Sequence, residues 1–320
     1  MALTLPLPFT WAELVDLHVA ERGGLTELVR VLYEIHPGAL PDDPQSVERG
    51  LRRLRKRTGP GDRYGRLLLR HFGLPGRVAD QARALGQYHS RLSELSVDVR
   101  RDQLRLWDRP PVSESAEAAW IHLGLATLAH REGDREAMAR RLELAALGAA
   151  RAGVQAEIEL ALFQARRVMD EGDPEGALAL LEQVPPLLDQ VEDPDDRACL
   201  VARRVDQRAY ILSRPWRAHP EVLAQAEALY RSIPDDGPAF ARFRRHEGLG
   251  WCLWRQGRRD EALRQATLAA QAAGDGGYLR LRCLALGLRA RVLGPGPEAD
   301  ALKKRVARIR AALGEADADG

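Results

Sequence analysis

The spacing of small and turn residues in the segment 249–270 constrains the fold more than any other feature of this sequence. Gly250 leaves room for a neighbouring helix to approach closely, and Gly257 is expected to end the first helix. A stripe of small residues then follows at helical spacing: Ala262, Ala266 and Ala269. Two helices of this kind cannot bury their apolar faces alone, so the segment predicts one unit of a stacked helical array.

The same arrangement recurs at intervals of 37–45 residues. The positions that align with Gly250 are Ala126, Ala165, about residue 210, and Gly287. The turn glycines that align with Gly257 are Gly133 and Gly172. In the weaker unit around residue 210, the loop 213–220 replaces the glycine, and Pro220 is expected to open the next helix. Residues 298–313 form a charged amphipathic helix that is suited to cap the array.

These units resemble the tetratricopeptide (TPR) repeat, whose usual period is about 34 residues. The resemblance implies an all-α fold with a TPR-like helical solenoid of about five hairpins and a capping helix over residues 113–314. TPR proteins commonly present the first helix of each unit to a groove that holds a protein or peptide. The residues that the resemblance places in this partner-binding groove are Trp120, Arg131, Arg166, Arg244, Trp251, Trp254 and Arg255.

The groove has two readings. Arginines between Arg242 and Arg259 could hold an acidic peptide or a C-terminal carboxylate through forked hydrogen bonds. Alternatively, these arginines are solvated, the tryptophans pack between units, and the chain is an irregular helical bundle. Many TPR peptide receptors grip the ligand backbone with asparagine side chains, and this chain contains no asparagine.

The N-terminal region does not follow the repeat. Thr10 and Glu13 have the spacing of a capping box, which predicts a helix to about residue 21, and a second helix is expected over 25–34. Asp43 before Pro44 predicts the start of a third helix, and Asp62 is expected to cap a fourth. Residues 1–76 are therefore predicted to form a small helical domain, joined by a helix and linker over 77–112 to the solenoid.

The segment 49–77 holds ten basic residues and one acid, Asp62. With its Gly/Pro turn and leucine-rich closing helix, this segment resembles the latter half of phage-repressor-like helix-turn-helix domains. The resemblance implies groove contacts to duplex DNA from Gln45, Ser46, Arg49, Arg52 and Arg53, and phosphate contacts from Arg55, Lys56, Arg57 and Arg63. One departure stands out: about nine residues separate the predicted second and third helices, whereas a helix-turn-helix turns in about three or four.

Together the two parts resemble bacterial transcription regulators that join a helix-turn-helix head to TPR repeats. In such a regulator the joining helix often serves a homodimer, because two half-sites require two heads. Two alternatives stay open: a scaffold or adaptor without DNA binding, whose basic face meets an acidic protein, and an RNA-binding adaptor.

Composition narrows the remaining classes. Net charge is +2, so any nucleic-acid affinity depends on a local cluster. Three well-separated cysteines, Cys199, Cys252 and Cys283, predict buried, reduced thiols and a cytoplasmic location. No apolar run approaches the roughly 20 residues that span a membrane. Neither the eight histidines nor any serine or cysteine falls in a metal-binding or nucleophile motif, so we expect no enzyme, cofactor or metal.

Overall fold

The computed structural model describes residues 9–38 and 40–314, and every regular element in these ranges is a helix. The predicted all-α class is therefore confirmed. The α-helices are α1 Trp11–Glu21, α2 Leu25–Ile35, α3 Pro44–Leu54, α4 Arg63–Phe72, α5 Gly76–Gly86, α6 Val97–Trp107, α7 Ala118–Glu132, α8 Arg135–Ala146, α9 Ala149–Ala152, α10 Val154–Asp170, α11 Pro174–Glu182, α12 Pro185–Leu188, α13 Pro194–Ser213, α14 Val222–Arg231, α15 Ala239–Arg255, α16 Arg259–Asp275, α17 Leu279–Leu293 and α18 Pro297–Ala312. Short 3-10 helices span Arg91–Glu94 and Val112–Glu114. Within these described ranges, none of the helices has both the length and the apolar character needed to cross a bilayer.

Polar caps begin the N-terminal helices where the sequence predicts them. Thr10 and Glu13 form both hydrogen bonds of the capping box at α1. The Asp43 carboxylate accepts a hydrogen bond from the backbone amide two residues later, at 3.0 Å, and Pro44 opens α3. Asp62 caps α4 in the same way, at 2.9 Å. These predictions are confirmed because each depends only on neighbouring residues.

A long loop separates α2 from α3. Helix α2 continues one residue beyond the predicted range, and residues 36–43 then connect it to α3. The Tyr33 hydroxyl donates a hydrogen bond to the carbonyl of Pro41 within this loop, and the rings of His36 and His71 meet edge to face at 3.9 Å between centroids. The loop is thus packed on the end of α4, and the short turn of an ordinary helix-turn-helix is not formed.

One cluster of buried apolar side chains runs from α1 into α7. It includes Trp11, Leu51, Leu85 and Trp107, and it extends to Leu128. The cluster crosses the boundaries that the sequence predicts at residues 76 and 112. Residues 1–8, at the start of the predicted N-terminal domain, lie outside the described residues.

The segment predicted as a linker, 108–115, is packed on the N-terminal helices. A Glu114 carboxylate oxygen accepts a hydrogen bond from the Gly61 backbone amide at 2.7 Å, and the Trp11 indole donates to the carbonyl of Gly59 at 3.0 Å. These two hydrogen bonds hold the loop 59–61 between α1 and residue 114. The N-terminal helices therefore form part of a continuous packed body with α5, α6 and α7.

From α7 onwards, successive helices pack in pairs: α7 on α8, α10 on α11, α13 on α14, α15 on α16, and α17 on α18. The predicted turn glycines adopt left-handed backbone conformations, with φ of +74° at Gly133, +95° at Gly172 and +79° at Gly257. A loop replaces the glycine turn between α13 and α14, as predicted. Pro220 does not open α14, however, because that helix begins at Val222.

The small residues of the segment 249–270 pack as predicted. The alanine stripe on α16 is fully buried: Ala262, Ala266 and Ala269. A methyl group at Gly250 would lie 2.9 Å from the end of the Leu288 side chain and 3.6 Å from the carbonyl oxygen of Ala262, so a larger residue would have to displace Leu288. Gly287, which aligns with Gly250, has open space where its side chain would be.

All three cysteines are buried, as predicted. Burial, with a contribution from nearby carboxylates, raises the pKa of Cys199 to about 12. Burial likewise raises the pKa of Cys252 to about 12. Both thiols are therefore held in the protonated form, which is a poor nucleophile.

Candidate ligand-binding cavity

A cavity of about 290 Å³ lies between α10, α13, α14 and α15. Four residues of the predicted groove meet in its wall: Arg166, Arg244, Trp251 and Arg255. The first and last of them, Arg166 and Arg255, are about 90 positions apart in the sequence, and the packing of successive helices brings them together. The cavity is concave and has a mixed polar and aromatic lining, which is the usual character of a ligand site.

The other predicted groove residues lie elsewhere. Trp120 is only 2% exposed, because the close approach of α5 to α7 at Gly86 encloses it. Arg131 donates a hydrogen bond to the carbonyl of Ser93 at 3.4 Å. Trp254 packs edge to face against Trp251, with ring centroids 5.4 Å apart, and joins the apolar cluster between α13 and α17. These three residues therefore do not line the cavity.

Two of the cavity arginines are neutralised by carboxylates. Arg244 forms an ion pair with Asp206 at 3.2 Å, and Asp206 also accepts a hydrogen bond from the Tyr230 hydroxyl at 3.0 Å. Arg166 forms an ion pair with Asp170 at 3.1 Å. Its guanidinium stands 5.4 Å from the centre of the Tyr210 ring, which is 40% exposed at the cavity. These pairs orient the cavity wall without giving it a net charge.

Glu247 and Arg255 carry the unpaired charges of the cavity. Glu247 accepts a hydrogen bond from the Trp251 indole at 2.7 Å, and its remaining accessible surface faces the cavity. Burial, together with the nearby Asp206 carboxylate, raises the pKa of Glu247 to about 7. Arg255 lies between two indole rings, 5.2 Å from the centroid of Trp216 and 5.2 Å from that of Trp251. In the part of the chain that the structure describes, neither residue forms an ion pair.

The surrounding arginines do not form one basic patch. Most of the arginines between residues 242 and 259 form an ion pair with a carboxylate or donate a hydrogen bond to a backbone carbonyl. Arg242 pairs with Asp275 at 3.3 Å, His246 with Asp235 at 2.8 Å, Arg258 with Glu227 at 3.1 Å, and Arg259 donates to the Leu293 carbonyl. Of the arginines expected to form a basic cluster, Arg255 is therefore the one that stays available to a ligand, because acids or backbone carbonyls distant in sequence contact the others.

A segment that the sequence did not single out adjoins the cavity. Residues 87–94, which we call the inner segment, connect α5 to α6 and lie against α10, α13 and α15. The Tyr88 hydroxyl accepts hydrogen bonds from Arg244 at 3.2 Å and from Arg280 at 3.4 Å. Burial alone would raise the pKa of Tyr88, but Arg280, Arg244 and Arg203 outweigh it and lower the pKa to about 7. Arg244 thus links the inner segment to the cavity.

A buried ion pair on α10 and α13 contacts the inner segment. Glu159 is 0% exposed and pairs with Arg203, which is 4% exposed. The Tyr88 amide donates a hydrogen bond to Glu159 at 3.3 Å, and the Arg203 guanidinium stacks on the Tyr88 ring at 4.4 Å. His89 extends the contact to Asp196 of α13 at 3.0 Å. No sequence signal could identify these hydrogen-bonded partners, because they lie 44 to 107 positions apart in the chain.

The predicted nucleic-acid contacts lie on an exposed surface of α3, the following turn and the start of α4. Gln45 is exposed and Ser46 is half-buried. The basic side chains are all exposed, and they are Arg49, Arg52, Arg53, Arg55, Lys56, Arg57 and Arg63. Three of these arginines are paired with carboxylates outside the basic window: Arg49 with Asp43 at 3.1 Å, Arg52 with Glu48 at 3.1 Å, and Arg55 with Asp16 at 2.8 Å. The local positive charge is therefore smaller than the sequence window suggests.

Four basic residues keep most of the positive charge of this surface. Arg57 donates to the carbonyl of Pro60 at 2.9 Å and lies 4.0 Å from Asp62. For Arg53, Lys56 and Arg63, no carboxylate among the described residues lies within ion-pair distance.

No protein-family model, curated protein or solved structure matches this chain significantly. The chemistry of the cavity is therefore derived from its own residues. Among residues 9–38 and 40–314, no group of three or more His, Cys, Asp or Glu side chains could hold a metal ion. Trp251, Tyr210, Glu247 and Arg255 offer stacking surfaces, a hydrogen-bond acceptor and a forked donor, which suit recognition of a ligand.

Proposed function

We propose that this chain is a binding protein whose TPR-like helical pairs hold an extended peptide segment of a partner protein in the cavity. The observation that carries the proposal is the meeting of Arg166, Arg244, Trp251 and Arg255 in one cavity wall. Large aromatic side chains and arginines dominate the energetics of protein recognition, because they bury a large area and form forked hydrogen bonds. Arg244 also joins the cavity wall to the inner segment, because it donates a hydrogen bond to the Tyr88 hydroxyl at 3.2 Å.

Selection of random peptides on the immobilised full chain tests this proposal. We expect enriched peptides that bind the natural sequence, and we expect Tyr210→Ala to weaken their binding by about tenfold, which corresponds to about 1.4 kcal/mol. Tyr210 is 40% exposed at the cavity, so its removal leaves the core intact. Leu279→Ala is the matched control, because Leu279 is 47% exposed and lies outside the cavity wall. A selection that enriches no peptide, or peptides that ignore Tyr210→Ala, would refute the proposal.

A second proposed function is duplex DNA binding by the helix-turn-helix-like surface of α3 and α4, which would make the protein a cytoplasmic transcription regulator. The observation that favours it is the exposed group formed by Arg53, Lys56, Arg57 and Arg63. These side chains are available for phosphate contacts, whereas Arg49, Arg52 and Arg55 would first have to leave their carboxylate partners. Such a regulator would act as a homodimer if its operator has two half-sites.

Fluorescence anisotropy of the full chain on random duplex DNA tests the second proposal. Because about four phosphates would be neutralised, we expect log K to fall with log salt at a slope of about −4. The double variant Arg53→Glu/Lys56→Glu should lose binding. Lys304→Glu/Arg308→Glu makes the same change of charge on exposed positions of α18 and should retain it. Equal loss in both variants, or tighter binding to a single strand, would contradict specific duplex binding by this surface.

A further inference from the structure

The cavity wall contains one acid, Glu247, and one base, Arg255, that form no ion pair with a described residue. Asp206 is paired with Arg244 at 3.2 Å, and Arg166 is paired with Asp170 at 3.1 Å. Among the described residues, Glu247 has no cation and Arg255 has no carboxylate within ion-pair distance. A charged side chain without an ion-pair partner in a cavity wall favours a ligand of the opposite charge, because pairing offsets the free energy of burying the charge.

Glu247, Trp251 and Arg255 stand four residues apart on α15, so they form one stripe along a face of the helix. The stripe is about 12 Å long at a rise of about 1.5 Å per residue. Trp251 joins its two ends, because its indole donates to Glu247 at 2.7 Å and its ring stacks on Arg255 at 5.2 Å. Along the stripe, an acidic group is followed by an aromatic ring and then by a basic group.

We infer that the cavity binds an extended peptide segment that carries a cationic side chain beside Glu247, an apolar side chain on Trp251 and a carboxylate on Arg255. An extended chain rises about 3.3 Å per residue and places alternate side chains on one face. The three ligand side chains would therefore stand at about every second position, spanning about 13 Å, which matches the length of the stripe. This inference rests on the proposed peptide-binding function and specifies its ligand.

The charges of the cavity favour such a dipolar segment over a wholly acidic one. A second ligand carboxylate would lie beside Glu247 and Asp206, and like charges at this range repel. A second ligand cation would lie beside Arg255, which two indole rings hold in place. The wall thus selects against both kinds of uniformly charged segment.

The response to pH follows from the groups around Glu247. The charged groups that act on Glu247 are Asp206, Arg244 and Arg255. Tyr230 and Cys252 stay neutral between about pH 6 and 8, because burial raises the pKa of each. Glu247, with a pKa of about 7, changes charge within this range. A cationic side chain beside it gains attraction as Glu247 ionises, so affinity should rise from pH 6 to pH 8.

Tyr88, on the other side of Arg244, also has a pKa of about 7. The Glu247→Gln variant separates the two groups, because it removes the titration of Glu247 and leaves that of Tyr88. If Glu247 is the group that responds, the variant should bind with an affinity that does not depend on pH in this range.

Capped five-residue peptides test the inference on the full chain by isothermal titration calorimetry at pH 8. The dipolar probe is acetyl-KALAE-amide, and the controls are the KALAQ, QALAE and EALAE peptides with the same caps. We expect the dipolar probe to bind about tenfold more tightly than KALAQ or QALAE, since each control loses one charge-assisted contact. EALAE should bind more weakly still, because it brings a carboxylate to Glu247.

Three variants assign the two ends of the probe. With Glu247→Gln, the advantage of KALAE over QALAE should disappear, and with Arg255→Gln the advantage over KALAQ should disappear. Arg217→Gln is the matched control, because Arg217 is exposed and stacks on Trp216 at 5.4 Å outside the cavity wall. Both advantages should persist in this variant.

Equal binding of all four peptides, tighter binding of EALAE, or no binding of KALAE would overturn the inference. The proposed function fails by a different result, namely a random selection that enriches no peptide for the cavity. If the selection succeeds and enriched peptides carry no paired charges, peptide binding stands and the dipolar ligand is wrong.

Discussion

Replacing Arg203 with methionine is expected to lower the free energy of unfolding by about 3–5 kcal/mol. The substitution leaves the Glu159 carboxylate, which is 0% exposed, without its guanidinium partner. The Tyr88 amide at 3.3 Å and His89 at 3.7 Å are the neighbours that would remain beside it. An unpaired carboxylate in this environment is costly, so the effect should exceed that of an ordinary surface substitution.

Urea denaturation followed by circular dichroism measures this effect. The double variant Arg203→Met/Glu159→Leu should recover most of the lost stability, because removal of both charges leaves nothing unpaired. Arg167→Met is the matched control: its ion pair with Glu171 is 38% and 51% exposed, and exposed pairs contribute at most about 1 kcal/mol. A loss below about 1 kcal/mol for Arg203→Met, or a double variant that is less stable than the single one, would show that the pair does not anchor the inner segment.

Gly86→Ala should destabilise the protein by about 3 kcal/mol, although alanine ordinarily favours a helix. A methyl group at this position in α5 would lie 2.1 Å from the carbonyl oxygen and 2.6 Å from the carbonyl carbon of Trp120. Both atoms belong to the backbone of α7, so no rotation of a side chain can relieve the overlap. The two helices would have to move apart within the shared N-terminal core.

Gly287→Ala provides the matched control in the same denaturation experiment. Gly287 lies inside α17, and its added methyl group would enter open space. Alanine there should stabilise the helix by about 0.5–1 kcal/mol, because it reduces the freedom of the unfolded chain. We therefore expect the two substitutions to change the free energy of unfolding in opposite directions. Stabilisation by Gly86→Ala would mean that α5 and α7 are not in the close contact described.

Local signals made much of the helical framework predictable. The Thr10 capping box, the Asp43 and Asp62 caps and the glycine turns depend on residues within one helical turn of each other. The alanine stripe of α16 was predictable for the same reason, since helical spacing places its members on one face. Tertiary context changed the outcome only where such signals were weak, as at Pro220.

Long-range contacts explain what the sequence could not predict. In the basic window 49–77, Arg55 pairs with Asp16, which lies 39 positions away in the chain. The pairs of Arg49 with Asp43 and of Arg52 with Glu48 are local, since both acids lie just before the window. Gly250 and Gly287 occupy aligned positions, but only Gly250 has a helix packed against it. The inner segment has no distinctive pattern at all, because its partners come from helices far along the chain.

The cavity contains both features that the sequence predicts and features that it does not. Helical spacing predicts that Arg244, Trp251 and Arg255 share one face of α15, and all three line the cavity. It could not tell that Asp206 neutralises Arg244, while Arg255 is held by two indole rings and keeps its charge unpaired. Trp120 follows the same repeat logic, yet α5 covers it. Which predicted residues remain available to a ligand is decided by packing between distant helices.

The most direct measurement is an NMR titration of the full chain with a selected peptide, followed through the indole N–H signals of its six tryptophans. These side chains report on separate regions, with Trp251 in the cavity wall and Trp11, Trp107 and Trp120 buried elsewhere. Single Trp→Phe variants assign the signals. If the cavity is the binding site, the signal of Trp251 should move most, and those of the buried tryptophans should stay in place. A peptide that binds without moving the signal of Trp251, or that shifts Trp11 and Trp107 instead, would contradict the cavity as the ligand site.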